Sequence, residues 1–577
     1  MSITRPPKQS LQMVEAIKQL LTGNGGYSNL QVTVTSILRN AMKTRYLGPL
    51  LVATIATALA SCSSGGGSKG DDIVKGGSLV FASNVEPDCL DPGTSAYDIT
   101  AVVGRHLFDT LLWQAPDGSI EPGLATSYKV SDDATAFDFT LRKGVTFSDG
   151  TPLDAGAVKA TFDRIADPKT GSQYAVGLLG PYKGTTVVDA LHVRVEFTKS
   201  FAPFLQGVTQ GFLGIIAPSS FEKGKNPCTD PIGSGPFVLK KFTPQDSVVL
   251  SQRPEYDWAP KGESHDGPAY LDEVTFKVVP EDEVRVGLLR SNEIDALGVI
   301  PPLEIGSLKD EGFDVIESEN PGAPYVVYIN SSRAPFDDVR ARRAVQAAVD
   351  IDGILKSVYD GRYPRAWGPL APGTPGYEKS VEGTWGNKPG EAAKLLDDLG
   401  YTRSGDSGIR ELNGKPLTLE LAFFSGDREQ RNEVVTLLQA QLKDAGIDLK
   451  LLPETEAAEA LGANTYDAGE FSFVSGDPDI LSTLFSSANV GKDGEPGSNM
   501  SAVKDDEIDA QLAVGIGSID AAKRADAYGK IQKRVVDQAY ALPIYVPTYF
   551  LASSSEIGGV TFGPQSDVRF YSAYRKG

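Results

Sequence analysis

Histidine and cysteine are scarce in this chain, with three of each in 577 residues. Three thiolates cannot form a four-cysteine zinc site, and three imidazoles are too few for a histidine-rich metal centre. The sequence therefore predicts no metal site. A site built only from carboxylates stays open, but no residue pattern supports one.

Basic residues are also in deficit, because 55 Lys and Arg stand against 75 Asp and Glu, giving a formal net charge of −20. Such a charge offers little attraction to nucleic-acid phosphates or anionic lipid, so nucleic-acid binding is not predicted. The length, together with 41% hydrophobic residues, predicts a globular protein of more than one domain.

No apolar run is long enough to span a membrane. The nearest candidate, residues 46–60, has 15 uncharged residues, whereas a membrane helix needs roughly 20. Lys43 and Arg45 precede this run and small residues follow it, which is the order of a secretory signal peptide. We therefore predict a signal peptide that ends at residue 61, with a single membrane helix as the alternative. Met42 lies just ahead, so residues 1–41 are interpreted as an N-terminal extension from an upstream start.

The signal peptide ends in Leu-Ala-Ser-Cys at residues 59–62, which resembles the lipobox of bacterial lipoproteins. The resemblance implies that Cys62 carries a lipid and anchors the protein to the cell membrane on its extracytoplasmic side. Residues 62–74, rich in Ser and Gly, then form a flexible tether. In such an oxidising setting the remaining pair, Cys89 and Cys228, favours a disulfide over two separate buried thiols.

The rest of the chain predicts mixed α/β structure. Residues 137–142 alternate apolar and polar side chains, as a half-buried strand does, and Asp154 is a fitting N-cap for the helix after it. Residues 325–329 predict an apolar strand, and residues 430–445 predict a helix that stops at Gly446. The pattern indicates α/β packing in at least two units. Three arginines at 340, 342 and 343 are predicted to form a solvated helix face.

Several longer segments carry a family resemblance. Residues 121–128 read EPGLATSY and residues 138–150 read DFTLRKGVTFSDG, and shorter blocks follow in order: GSGPF at 233–237, EIDA at 293–296, PFDDVR at 335–340 and GDPD at 476–479. From about Lys75 to its end, the chain resembles the extracytoplasmic solute-binding proteins of ABC importers, family 5, which take peptides, nickel chelates and related solutes.

The resemblance implies a two-lobed α/β clamshell of the type II periplasmic-binding class, in the large peptide-binding form with an extra subdomain. Lobe 1 would hold residues 75–324 plus 546–577, with a subdomain inserted at about 105–232, and lobe 2 would hold residues 325–545. A monomer of this kind captures its solute by hinge closure and delivers it to permease subunits coupled to ATPases.

The resemblance also places candidate ligand-binding residues. In peptide-binding relatives an aromatic residue is followed, three places later, by an Asp that pairs with the peptide's α-ammonium. Here the aromatic is Phe471, but the Asp position is Val474. A buried ammonium needs a carboxylate. The departure therefore argues against a free peptide N-terminus or moves its recognition to Asp477 or Asp479, either of which could instead cap a helix.

Further candidates are Tyr97 and Asp98, in a short polar stretch of lobe 1, and Trp367, in a Gly- and Pro-rich loop beside Arg365. Tyr97 and Asp98 could instead lie in a plain surface loop, and Trp367 could be a core residue. Phe473 could line the cleft beside Phe471, but aromatic residues two apart on a strand also fit a core.

An exported serine hydrolase is the rival from another class. Residues 501–504 match S-x-x-K and residues 169–171 match K-T-G, but their order is reversed and no S-D-N lies between them. His106, His192 and His265 accompany no G-x-S-x-G elbow or H-E-x-x-H helix, and dinucleotide and P-loop fingerprints are missing. We predict no enzyme and no cofactor, with a structural or adhesive role left open.

The function predicted from the sequence is thus capture of short peptides or peptide-like solutes for an ABC importer. Val474 keeps non-peptide solutes in view, among them nickel chelates, heme, opines and glycosides, which relatives bind.

Overall fold

The computed structural model describes residues 73–115, 118–403, 405, 407–424, 428–492 and 497–577. The predicted extension, signal peptide and lipid-attachment residue Cys62 lie outside the described residues. The predicted tether, 62–74, ends differently from the expectation. Its last residues, Ile73 and Val74, form a strand that pairs with Lys576 and Arg575, so backbone hydrogen bonds join both ends of the folded body.

The strands are β1 Ile73–Val74, β2 Ser78–Ser83, β3 Leu112–Gln114, β4 Ile120–Pro122, β5 Ala125–Val130, β6 Ala136–Leu141, β7 Tyr182–Val187, β8 His192–Phe197, β9 Phe237–Thr243, β10 Ser247–Gln252, β11 Glu273–Val278, β12 Ala296–Gly298, β13 Asp314–Glu319, β14 Gly322–Ile329, β15 Thr402–Arg403, β16 Arg410–Leu412, β17 Lys415–Pro416, β18 Thr418–Ala422, β19 Asp448–Leu452, β20 Ala468–Val474, β21 Ala541–Tyr545, β22 Thr548–Ser553, β23 Ile557–Gly558, β24 Thr561–Phe562, β25 Val568–Arg569 and β26 Tyr574–Lys576.

The α-helices are α1 Asp98–Leu107, α2 Ala155–Ala166, α3 Ala175–Leu179, α4 Phe204–Gly207, α5 Asp282–Arg290, α6 Glu304–Asp310, α7 Val339–Ala348, α8 Ile351–Tyr359, α9 Pro389–Asp398, α10 Arg431–Ala445, α11 Glu454–Ala463, α12 Ile480–Phe485, α13 Asp506–Gly517 and α14 Ala521–Asp537.

Lobe 1 is built on a mixed seven-stranded sheet in the order β13-β22-β12-β2-β11-β10-β9. Its central strand β2 runs parallel to β11 and β12, and Phe81 and Phe276 bury their rings against each other at 5.8 Å. An antiparallel four-stranded sheet, β5-β6-β8-β7, forms the subdomain. Helix α2 begins there because the Asp154 carboxylate accepts from the Ala157 N–H at 3.0 Å, as predicted.

Lobe 2 is built on a five-stranded sheet in the order β19-β18-β20-β14-β21. The chain passes from the lobe 1 sheet to the lobe 2 sheet between β13 and β14, and it returns between β21 and β22. Leu297 of lobe 1 and Val327 of lobe 2 belong to one apolar cluster at these crossings. Two short connections over a shared apolar base are the construction of a hinge.

The prediction of a solvated arginine face on α7 is wrong for one of its three members. Arg340 and Arg343 are exposed, but Arg342 is only 3% exposed. Arg342 lies three residues before Val345 and seven before Val349, which places it on the apolar side of the helix. The flanking arginines obscured that periodicity.

Candidate functional site

Asp98 lies where the two lobes face each other. It is the first residue of α1, directly after the exposed Tyr97, and 67% of its side chain is accessible to solvent. Its Oδ2 lies 3.7 Å from Nη2 of Arg428, which belongs to lobe 2. The structure thus sets an accessible carboxylate of lobe 1 opposite an accessible guanidinium of lobe 2.

Protein surrounds the Asp98 carboxylate even though solvent reaches it. That burial raises the pKa of Asp98, the Arg428 guanidinium opposes the rise, and the nearby Glu429 carboxylate adds to it. Burial raises the pKa of the neighbouring Tyr174 and Tyr549 hydroxyls, and the Asp98 charge adds to the rise. A carboxylate in this state is stabilised by any further cation that enters the space between the lobes.

The segment that presents Tyr97 and Asp98 is fixed from below. The Ser95 hydroxyl donates to Asp88 and accepts from the Tyr97 N–H at 3.0 Å. The structure joins Cys89 and Cys228 in a disulfide, and the Cys89 carbonyl accepts from the Thr100 hydroxyl at 2.8 Å. The start of α1 is therefore held to the lobe 1 subdomain.

Arg428 is held by a buried ionic network just after it. Glu429 and Gln430 adopt left-handed φ values of 53° and 56°, which costs non-glycine residues of order 1 kcal/mol or more. Arg431 is fully buried and donates to Glu429 at 2.9 Å, to Tyr545 at 3.0 Å and to Ser472 at 2.8 Å. These bonds overcome the backbone strain and fix the loop that carries Arg428.

The pKa of Glu429 shows the strength of this network. Burial alone would raise the pKa of the Glu429 carboxyl, but the Arg431 and Arg428 guanidiniums and the Tyr545 hydroxyl outweigh burial and lower it. Glu429 therefore stays ionised, and it completes a chain of alternating charges that leads from the core of lobe 2 to Arg428 and Asp98.

Val474, the position where an Asp was expected, also lies at the contact between lobes. Its carbonyl accepts from the hydroxyl of Tyr174 in the subdomain at 3.3 Å, and the Tyr174 ring packs on Phe212 at 4.7 Å. Phe471 and Phe473 precede it on β20, half-buried, with ring centroids 4.5 Å apart, and both pack against an apolar cluster of lobe 2.

The nearby Gly476 marks a close approach between the lobes. A Cβ at this position would lie 2.5 Å from Nε2 of Gln206 and 3.3 Å from Oε1 of Gln114, two buried subdomain side chains that hydrogen-bond to each other at 2.7 Å. Only glycine fits this approach without displacing that pair. The sequence block GDPD marked the segment, but no local pattern pointed to the two glutamines.

Asp477 is occupied by a partner within lobe 2. Its two oxygens accept from Arg524 at 2.5 and 2.6 Å, a bidentate pair, so this carboxylate is already neutralised. Asp479 accepts from the Tyr528 hydroxyl at 2.8 Å and from Ser482 at 2.5 Å. Of the acidic candidates from the sequence, only Asp98 is presented to the space between the lobes without such a local pair.

Asp479 gives this segment a pH dependence. Burial, with the Asp477 charge next, raises the pKa of Asp479 to about 7. Its contribution to stability is therefore complete below the unfolded-state pKa of 3.8 and is lost as the pH rises through 7. Asp479→Asn should remove this loss, so its Tm relative to wild type should be about 2 °C higher at pH 8 than at pH 5.

Differential scanning fluorimetry at both pH values measures this difference. Asp526→Asn is the control, since Asp526 is 66% exposed and its pair with Lys530 lies on the surface of α14. A Tm difference for Asp479→Asn that stays constant with pH would contradict the assignment.

Trp367 is engaged within lobe 2. The Arg365 guanidinium carbon lies 3.6 Å from its ring centroid, and the Trp367 carbonyl accepts from the Trp385 indole at 2.9 Å. The residue remains half-buried against the core of lobe 2. Any contact of Trp367 with solute would thus be made by a ring that is already stacked.

The serine of the S-x-x-K match has no room to act. Ser501 is fully buried and its hydroxyl donates to the Tyr540 carbonyl at 3.0 Å, whereas Lys504 of the same motif is exposed. Lys169 lies in a turn of the subdomain.

Within the described part of the chain, no helix combines the length and apolar character required to cross a membrane.

Comparison with known proteins gives consistent matches across this architecture. Residues 119–492 match the model of the bacterial extracellular solute-binding proteins, family 5. The chain is 27% identical over 509 residues to the probable D,D-dipeptide-binding periplasmic protein DdpA of Escherichia coli, covering 85% of this chain and 93% of DdpA. It is 30% identical over 518 residues to protein XP55 of Streptomyces lividans, covering 86% and 90%.

Among solved structures, NikA from Brucella suis, in complex with Fe(III)-EDTA, superposes with a TM-score of 0.76 at 25% identity, covering 87% of this chain and all of NikA. The two sheets and the double crossing between them therefore have a common explanation. This chain belongs to the bacterial extracellular solute-binding proteins of family 5, the receptors of ABC importers.

Proposed function

We propose that this receptor captures short peptides or peptide-like solutes that carry both an ammonium and a carboxylate, and delivers them to an ABC permease and its ATPases. The observation that carries the proposal is the accessible pair of opposite charges, Asp98 and Arg428, across the contact between lobes. Val474 lacks the expected carboxylate, and Asp98 supplies one from the opposite lobe. The dipeptide named for DdpA is a solute of this chemical class.

In this mechanism the solute replaces an internal ion pair. Oδ2 of Asp98 and Nη2 of Arg428 lie 3.7 Å apart, close enough to attract each other. The ammonium of the entering solute pairs with Asp98, and the carboxylate of the solute pairs with Arg428. One charge contact within the protein is thus replaced by two contacts with the solute. The Tyr174–Val474 and Gly476 contacts, which already join the lobes in this structure, exclude water from the solute and strengthen both charge contacts.

The proposal includes the architecture and setting of the receptor. Lobe 1 is taken as residues 75–324 and 546–577, with the subdomain at 105–232, and lobe 2 as residues 325–545. The chain switches sheets between Glu319 and Gly322 and again between Tyr545 and Thr548, within a few residues of these boundaries, which supports them. We place the protein as a monomer tethered by a lipid on Cys62 at the extracytoplasmic face of the membrane. It acts as a receptor without enzymatic activity.

Asp98→Asn tests the proposal directly. We expect it to weaken binding of peptides with a free N-terminus at least tenfold, because a neutral amide cannot neutralise the ammonium. The same peptides with an acetylated N-terminus should be unaffected by the change. Isothermal titration calorimetry of refolded, solute-free protein against di- to hexapeptides measures both series.

Lys356→Gln provides a matched control, since its exposed pair with Asp360 lies on the surface of α8. If Asp98→Asn binds free peptides as tightly as wild type does, the ammonium site lies elsewhere. If peptides do not bind wild type but metal chelates, opines or sugars do, the receptor role stands with a different solute.

A further inference from the structure

A second cavity lies at the far end of lobe 2. Its volume is about 280 Å³, and its lining includes Ser331, Arg342, Lys504 and Tyr540. Strand β14 runs from Gly322, which pairs with Val474 at the contact between lobes, to Ile329 just before Ser331. Seven steps of about 3.3 Å place this cavity about 23 Å from that contact. It is therefore separate from the site proposed for the solute.

Arg342 presents one end of its guanidinium to this cavity. Its Nε donates to the Gln538 carbonyl at 2.9 Å, and its Nη1 donates to the carbonyls of Phe336 at 2.7 Å and Asp337 at 3.1 Å. Its Nη2 has no protein partner among the described residues and is reached by solvent, although the residue as a whole is only 3% exposed. A guanidinium has five N–H donors, so two of them are left for the cavity.

The position of this guanidinium is fixed before any ligand arrives. Besides the three carbonyls, the Tyr540 ring packs under it, with the guanidinium carbon 4.8 Å from the ring centroid. No acidic side chain of the described residues forms a salt bridge with Arg342. Burial lowers the pKa of Arg342, and the charges of Tyr540, Asp338 and Asp337 offset this effect only in part. An anion in the cavity would offset more of the cost of burying this charge.

The other charged groups set the sign and the size of the ligand. Lys504 lines the same cavity, is exposed and has no ion-pair partner in the described part of the chain. Asp337 also lines the cavity, so its fixed charges are two positive and one negative. This local excess of positive charge occurs in a chain whose net charge is −20. The volume far exceeds the roughly 10–15 Å³ that a single water needs.

We propose that this cavity binds a small organic carboxylate. The carboxylate accepts from Nη2 of Arg342, and the Lys504 ammonium approaches it from the solvent side. Asp337, whose carbonyl accepts from Nη1 of Arg342, also lines the cavity, so its carboxylate disfavours a second negative charge on the ligand and favours an amino group. Free amino acids with one net negative charge or none fit these contacts best.

Calorimetric titration of the full chain with acetate, succinate, glycine and glutamate, at constant ionic strength, tests the proposal. We expect one-to-one binding of at least one carboxylate with a Kd below about 1 mM. Lys504→Glu should weaken that binding at least tenfold, because it reverses a charge beside the ligand. Lys504 is exposed, so its replacement leaves the fold intact.

Lys523→Glu is the control, because it makes the same charge change at an exposed residue of helix α14. Arg428→Gln should leave this binding unchanged, since Arg428 lies at the other end of lobe 2. The proposal is overturned if no carboxylate binds wild type, or if Lys504→Glu binds as wild type does. It is equally overturned if Arg428→Gln, and not Lys504→Glu, loses the binding.

Discussion

Arg431→Met should lower the free energy of unfolding by about 3–5 kcal/mol, because it leaves buried carboxylates without their cation. Arg431 and Glu470 are both fully inaccessible, with Nη1 and Oε2 3.5 Å apart, and Glu429 accepts from the same guanidinium. Methionine fills a similar volume, so the loss comes from charge and hydrogen bonding and not from a cavity.

Chemical denaturation measures this change, and Arg428→Met is the matched control. The control makes the same substitution three residues earlier, at a side chain that is 44% exposed, and exposed ion pairs contribute only about 0–1 kcal/mol. Adding Glu470→Gln to Arg431→Met should recover part of the loss, since it removes one orphaned charge. Equal effects of Arg431→Met and Arg428→Met would show that the buried network does not stabilise lobe 2.

The network also shows where sequence-based prediction stops. Helix α10 was expected at 430–445 and runs from Arg431 to Ala445, with Gly446 ending it at φ 92°. That much follows from local pattern and from the left-handed conformation that glycine permits. The partners of Arg431 on β20 and β21 could not be predicted, because their proximity depends on the order of strands in the sheet.

The candidate site likewise contains residues that the sequence indicated and residues that only the fold reveals. Tyr97 and Asp98 were selected from a short polar stretch, and the structure brings Asp98 to the contact between lobes. Arg428 was not selected, because a single arginine in a polar loop carries no signal until the fold sets it opposite Asp98. Arg342 did carry a signal, in its helical spacing to Val345 and Val349, but the neighbouring charges outweighed it in the interpretation.

Removing the disulfide should have the second large effect. The Cys89–Cys228 bond closes a sequence separation of 139 residues. Chain entropy predicts about 5 kcal/mol for a loop of that length, and removal of native disulfides costs about 2–5 kcal/mol. The double variant Cys89→Ser/Cys228→Ser should lose stability in this range in chemical denaturation. Wild type under a thiol reductant should lose a similar amount, and the double variant should not respond to the reductant.

The same bond should affect solute affinity, because the residues it fixes lead directly to Asp98. The Leu90 N–H donates to the Cys228 carbonyl at 3.0 Å, and the Cys89 carbonyl holds Thr100 on the first turn of α1. Without the bond this segment gains freedom, and each binding event must order it again. We expect the double variant to bind peptides severalfold more weakly at a temperature where it remains folded.

Two measurements on one variant separate the two roles of the disulfide. Calorimetry at 15 °C reports affinity in the folded state, whereas denaturation reports the stability of the fold. If the disulfide positions Asp98, the double variant should lose both stability and peptide affinity. Its binding entropy should then be more unfavourable than that of wild type. A loss of stability with unchanged affinity would instead mean that the contacts of Ser95 and Thr100 hold the start of α1 without help from the disulfide.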